Sequence, residues 1–234
     1  MDIAFYTGFQ NKLYFKSFGL KEEQLVFAPH AVDNFRFAEN RETEADKIRK
    51  NLKVGDTTIL LLFAGKFEPK KNPILLLDAF LKSNRQDLHL LFTGNGVLET
   101  QLKLRVKEAG VGNVSFMDFQ NQSTMPAVYQ ACDLFCLPSK GPGDTWGLAV
   151  NEAMAGGKAV LISDKVGCSE DLVDTNENGA VFESENETDL VEKINILCRS
   201  KLELEKMGRK SSEKIKSWSF DLQVEAFMSE FVKL

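Results

Sequence analysis

The sequence predicts an α/β domain built on a doubly wound parallel sheet. Three observations point there: short apolar runs recur along the chain, several lack the alternation of a half-exposed strand, and amphipathic stretches of helical length lie between them. Strands that are apolar on both faces must be covered on both, and a helix between successive strands makes those strands parallel.

Size and composition agree with this class. A chain of 234 residues, 43% hydrophobic and 27% charged, can bury one sizeable core. Its formal net charge of −5 carries no basic footprint for nucleic acid. The longest apolar stretch, Ile59 to Gly65, is too short to span a bilayer, and the opening MDIAFYTGFQ has no signal-peptide core, so a soluble chain is expected. Cys132, Cys136, Cys168 and Cys198 show neither paired CxxC spacing nor a histidine pattern, and read as buried free thiols of a reducing compartment.

Taken in order, the candidate strands are Leu25 to Ala28, Thr58 to Ala64, Leu88 to Thr93, Val114 to Phe116, Leu134 to Pro138, Ala159 to Ser163 and Ala180 to Phe182. Helix-like segments fall at 41–53, 73–84, 97–110, 124–132, 147–156, 168–174, 186–199 and 201–216. Sheets of this kind bind ligands at the carboxyl ends of their strands, so the loops leading into the helices are where chemistry is expected.

Three of those loops carry information. GKFEPKKNP, from Gly65 to Pro73, combines a turn-forming glycine with Lys66, Lys70 and Lys71, which can sit in water or lean over the sheet edge toward an anion. GNG, Gly94 to Gly96, is not a dinucleotide fingerprint, because Glu99 stands where the third glycine belongs. Gly157-Lys158 likewise fails as a Walker loop, with Glu152 five residues before and no Ser or Thr after. The third loop is PSKGPGDTWGLAVNE, residues 138–152. It places Gly141 and Gly143 before Asp144, Trp146 and Gly147, then opens a helix that carries Glu152 about one turn in. Free amides at residues 147 to 149 suit a phosphate at that helix start, and Glu152 beyond it suits a pair of ribose hydroxyls.

These stretches resemble the C-terminal half of glycosyltransferase family 4, the retaining sugar-nucleotide transferases with two Rossmann-like domains (GT-B architecture). GKFEPKKN resembles the loop whose basic residues hold the donor diphosphate, here Lys66 and Lys71; FTGNG, with Gly94, resembles the segment beside the nucleotide. VSFMDF resembles the strand leading to the base-contacting loop, near Phe119, and ACDLFCLPS the strand before the acidic motif. DTWGLAVNEAMAGG resembles the paired-glutamate signature, with Asp144 in place of the first glutamate and Glu152 as the second. Lys66 stands where arginine is common. The resemblance implies Asp144 on the donor sugar, Glu152 on the ribose, Gly65 and Gly94 beside the nucleotide, and the backbone around Trp146, Gly147 and Leu148 at the phosphates.

Residues 1–37 then read as the end of an acceptor domain with its interdomain segment, 38–217 as the nucleotide-sugar-binding domain, and 218–234 as a helix crossing back. FYTGFQNKLYFKSFG resembles the acceptor domain's last helix, and His30 reads as interdomain packing. The implied partners are a nucleoside diphosphate sugar (of uridine, guanosine or adenosine) and a saccharide or lipid-linked acceptor met through a domain absent here. The implied location is cytoplasmic, with peripheral association at the inner membrane face. No DxD motif occurs, so no metal cofactor is expected. Two alternatives stay open: a non-catalytic nucleotide-binding module, and a sugar-nucleotide 2-epimerase, against which the flanking WGLAVNEAMA stands.

Overall fold

The apolar runs become strands. The computed structural model describes residues 2–141 and 144–232. After β1 (Ala4–Tyr6) and β2 (Leu25–Phe27) come six strands: β3 (Ile59–Ala64), β4 (Leu88–Thr93), β5 (Val114–Met117), β6 (Leu134–Leu137), β7 (Ala159–Ser163) and β8 (Gly179–Phe182). These six form one parallel sheet in the order β5-β4-β3-β6-β7-β8. Every residue of β3, β4, β6 and β7 is buried, as their lack of alternation requires.

Eleven α-helices are assigned among the described residues: α1 (Phe9–Ser17), α2 (Asn34–Ala38), α3 (Glu42–Asn51), α4 (Pro73–Ser83), α5 (Glu99–Ala109), α6 (Met125–Ala131), α7 (Leu148–Ala155), α8 (Ser169–Leu172), α9 (Glu187–Leu197), α10 (Lys201–Lys214) and α11 (Phe220–Phe231). Local chemistry sets several of their ends. Pro73 starts α4, and the side chains of Asn186, Ser200 and Ser219 cap α9, α10 and α11. Helices α4 and α9 pack together, as do α3 and α6, while α10 lies on β7 and α7. No helix among the described residues is long and apolar enough to cross a membrane.

Two expectations at the amino end need correction. Leu25–Phe27 does not join the main sheet; it pairs in parallel with β1, a strand inside the stretch read as helical. The helix begins only at Phe9, after Gly8. Its start is capped from afar: the Phe9 amide donates to both carboxylate oxygens of Asp171, at 3.1 and 2.9 Å. A short-range pattern cannot announce a cap brought in from residue 171. The five-residue α2 was also unforeseen, although Asp33 caps it by accepting from the Arg36 amide at 3.1 Å.

The C-terminal segment packs against the first two strands. Phe227 on α11 lies 4.4 Å, centroid to centroid, from Phe5 on β1, and Trp218 lies 6.1 Å from Phe27 on β2. Neither α1 nor α11 buries a residue fully, and Tyr14, Phe18, Val224, Met228 and Phe231 stand exposed.

Candidate functional site

From β3 the chain proceeds outward through β4 to β5, then returns to β6 on the other side of β3 and continues to β8. The connections leaving β3 and β6 therefore diverge, and a crevice opens at the carboxyl ends of these two neighbours. The glycine-rich loops meet there. Gly94 has φ +135°, and a Cβ on it would lie 2.1 Å from the Gly65 carbonyl oxygen, so only glycine lets the two loops touch. The Phe67 amide donates to the Asn95 carbonyl at 2.8 Å and locks the loops together.

At this end lies a cleft of about 470 Å³, within the range of small-molecule sites. It gathers five of the residues the sequence singles out: Gly65, Lys66, Gly94, Phe119 and Glu152. Phe119 is 68% exposed and offers a flat apolar face. The Lys66 side chain is 77% exposed and reaches only a long contact, 3.9 Å, with Glu68. Thr93, Gln122 and Tyr129, none of them read as site residues from the sequence, also line the wall. The Thr93 hydroxyl is buried with no hydrogen-bond partner among the described residues, a polar atom left over beside the cleft. A larger cavity of about 610 Å³ includes Arg49, Asp133, Lys158 and Lys201, where the chain enters β3, β6 and β7. There Arg49 is spent on the Ala131 and Thr58 carbonyls and Asp133, and Lys158 on the Gln130 carbonyl, so that cavity holds framework contacts.

Lys71 and Asp144 are brought together with each other. The Lys71 ammonium donates to Asp144 Oδ2 at 2.7 Å, and the Ser139 hydroxyl donates to the same oxygen at 2.5 Å. Asp144 is 8% exposed. The two loops are also joined by the Lys140 amide, which donates to the Lys70 carbonyl at 2.9 Å. Among the described residues both bonds to the carboxylate fall on Oδ2, so Oδ1 and the remaining ammonium protons keep capacity for a ligand. Ser139 ends ACDLFCLPS and lies in the quoted loop 138–152, without being singled out in either. Gly141 adopts φ +46° before the pair, while Gly143 lies outside the described residues.

Trp146, whose backbone the resemblance places at the phosphates, has its side chain in the interior at 5% exposure. Its indole donates to Asn151 Oδ1 at 2.8 Å, and the Asn151 amide donates to the His30 carbonyl at 2.9 Å. The tryptophan thus fastens the segment around His30 to the sheet domain, consistent with a packing role for His30, whose ring lies 5.8 Å away. Gly147 at φ +97° turns the chain into α7, and a Cβ there would strike Val166 at 2.6 Å. Leu148 opens the helix, whose first amides have no intrahelical acceptor.

One turn on, Glu152 Oε2 accepts a 2.6 Å hydrogen bond from the Tyr129 hydroxyl. Burial raises the Glu152 pKa above the ordinary glutamate range, opposed by the Tyr129 and Gln122 side chains and by Arg36. Burial and the adjacent carboxylate push the Tyr129 phenol well up, so it stays a donor. The four cysteines are buried and free, and burial lifts Cys132 and Cys198 to about 12, which makes them inert.

A family model described as glycosyl transferases group 1 matches residues 44–214. The chain belongs to this family. The matched span holds Lys66, Lys71, Asp144 and Glu152. Among similar proteins, the lipopolysaccharide 1,2-N-acetylglucosaminetransferase of Salmonella typhimurium is 28% identical over 225 residues, 84% of this chain and 59% of that protein. The O-antigen chain mannosyltransferase C of Escherichia coli is 25% identical over 97% of this chain and 56% of its own length. The chain therefore spans less than two thirds of these relatives. In structure it resembles Anabaena Alr3699/HepE in complex with UDP, at a TM-score of 0.87 and 18% identity, covering 100% of this chain and 64% of that one. It also resembles the C-terminal domain of a group 1 family protein (LpcC) from Francisella tularensis, at a TM-score of 0.69 and 21% identity, over 81% of this chain and 100% of that domain.

Proposed function

We propose that this chain is the donor-binding part of a retaining glycosyltransferase that moves a hexosyl group from a nucleoside diphosphate sugar to an acceptor hydroxyl. The observation that carries the reading is the cleft at the divergence of β3 and β6, which places an exposed lysine, a flat aromatic face and a half-buried carboxylate around one small-molecule-sized space. That Anabaena HepE is described with UDP and with UDP-glucose supports the ligand class.

In this reading Phe119 lies along the base, Glu152 accepts from the ribose hydroxyls, and the backbone at Gly65 and Gly94 allows close approach of the nucleotide. Charge develops on the departing diphosphate, and Lys66, Lys71 and the amides at Gly147 and Leu148 stabilise it electrostatically, without a metal. Asp144 uses its free oxygen for a sugar hydroxyl while its other oxygen holds Lys71. The acceptor is a saccharide or lipid-linked saccharide of polysaccharide or glycolipid synthesis at the cytoplasmic face of a membrane. It reaches the site through a second domain, and closure of the two domains orients both substrates and excludes water. The occupied Asp144 favours one rival, a nucleotide-binding module without catalysis.

Calorimetric titration with UDP, GDP and ADP, and with the corresponding nucleotide sugars, tests the donor reading. One of these is expected to bind, whereas acceptor-dependent transfer is expected only when an acceptor-side domain is supplied. Absence of nucleotide binding would remove the transferase reading; turnover by these 234 residues alone would remove the two-domain mechanism. Lys66→Ala is expected to weaken nucleoside diphosphate binding by about 1–3 kcal/mol, as for a charge-assisted contact. Its melting temperature should stay unchanged, since the side chain is in water. Wild-type affinity in this variant would take Lys66 off the diphosphate.

A further inference from the structure

Tyr129 is 1% exposed, yet its hydroxyl is aimed at a residue of the cleft wall. Its ring is held edge-on by Phe37, 5.8 Å away, and by Phe135 at 5.7 Å. Two aromatic neighbours, one from α2 and one from β6, leave the ring little freedom, so the hydroxyl is delivered to a fixed point. At that point it donates to Glu152 Oε2 at 2.6 Å. A glutamate side chain has three rotatable bonds, and a carboxylate free to sample them is poorly placed to accept two hydroxyls from one ribose. Anchoring one oxygen from inside the protein orients the other.

We propose that Tyr129 is a positioning residue for ribose recognition: its hydroxyl, fixed by the Phe37 and Phe135 rings, holds Glu152 so that Oε1 faces the ribose hydroxyls. This rests on the reading of Glu152 as the ribose acceptor. It adds a residue of the cleft wall that acts through Glu152 and sets the preference for ribose over deoxyribose. The bond also opposes the effect of burial on Glu152, helping to keep the carboxylate ionised and strongly accepting.

The test compares wild type, Tyr129→Phe, Glu152→Ala and the double variant by calorimetry. The probe is whichever of UDP, GDP and ADP the wild type binds most tightly, alongside its 2′-deoxy and 3′-deoxy forms. The phenylalanine variant keeps the ring and its packing, and melting curves recorded in parallel confirm the fold. Wild type is expected to prefer the ribonucleotide, and Tyr129→Phe to lose about tenfold of that preference, the scale of a hydrogen bond to a charged group. In the Glu152→Ala background, where no side-chain oxygen is left to orient, the same change should cost no further preference. A role in packing alone would weaken all three nucleotides alike and leave their ratio intact. Full ribose preference in Tyr129→Phe would overturn the proposal while leaving the Glu152 reading in place. A wild type indifferent to the ribose hydroxyls would overturn both.

Discussion

Lys71→Ala is expected to lower the unfolding free energy by about 2–3 kcal/mol, at or below the lower bound for breaking a fully buried ion pair because the lysine side chain keeps 20% exposure. Removing the ammonium leaves the Asp144 carboxylate, 7% exposed in its side chain, with the Ser139 hydroxyl as its remaining described partner. Such a carboxylate must protonate, recruit water or pull its loop outward, and each response costs stability. The sequence alone suggests the opposite, since loop lysines contribute little to stability; the difference is that this one crosses to a neighbouring loop and meets a buried anion. Urea unfolding of Lys71→Ala, Asp144→Ala and the double variant measures the pair. The double variant should be less destabilised than the sum of the single ones, because no charge is stranded. Additive effects, or an unchanged midpoint in Lys71→Ala, would show that the pair carries no coupling. Nucleoside diphosphate affinity should fall about tenfold in the same variant, an effect separable from stability by titrating well below the melting temperature.

The contrast between Lys66 and Lys71 marks where the sequence is legible. Runs such as Ile59–Ala64 and Leu88–Thr93 announce themselves as buried strands because apolarity on both faces is a local property of the chain. The glycine loops could be placed at strand ends for the same reason, and with them Gly65, Gly94 and Glu152. What stayed hidden depends on partners far apart in sequence. Nothing in Phe5 or Tyr6 says that Leu25–Phe27 will pair with them, and nothing in Gly8 says that Asp171 will cap the helix behind it. The Trp146 side chain takes its framework role from Asn151 and, through it, the His30 carbonyl, which no local pattern connects to it. Tyr129 sits in an apolar helix-like stretch and Ser139 just past a buried strand, and the partner of each hydroxyl, a carboxylate within 2.6 Å, comes from a residue no local pattern points to.

Glu152→Gln is expected to weaken binding of the ribonucleotide by about tenfold while raising the melting temperature at neutral pH, because a charge-assisted acceptor is lost and a desolvated charge removed. Burial raises the Glu152 pKa in the folded protein, so the folded state holds this proton more tightly than the unfolded chain does. Stability from the protonated form is fully present below the ordinary glutamate range and is lost as pH rises through the folded value. Above that value the wild type carries the cost of a half-buried carboxylate. Glutamine escapes it, since its amide oxygen still accepts from the Tyr129 hydroxyl and bears no charge. The stability advantage of the variant should therefore be largest at neutral pH and shrink as the pH is lowered into the range where Glu152 is protonated. Melting curves of both proteins from neutral to acidic pH, paired with titrations at neutral pH, check the two halves together. A variant less stable than wild type at neutral pH would mean that the carboxylate stabilises the fold, and would remove the argument that this charge is kept at a cost for the ligand it binds.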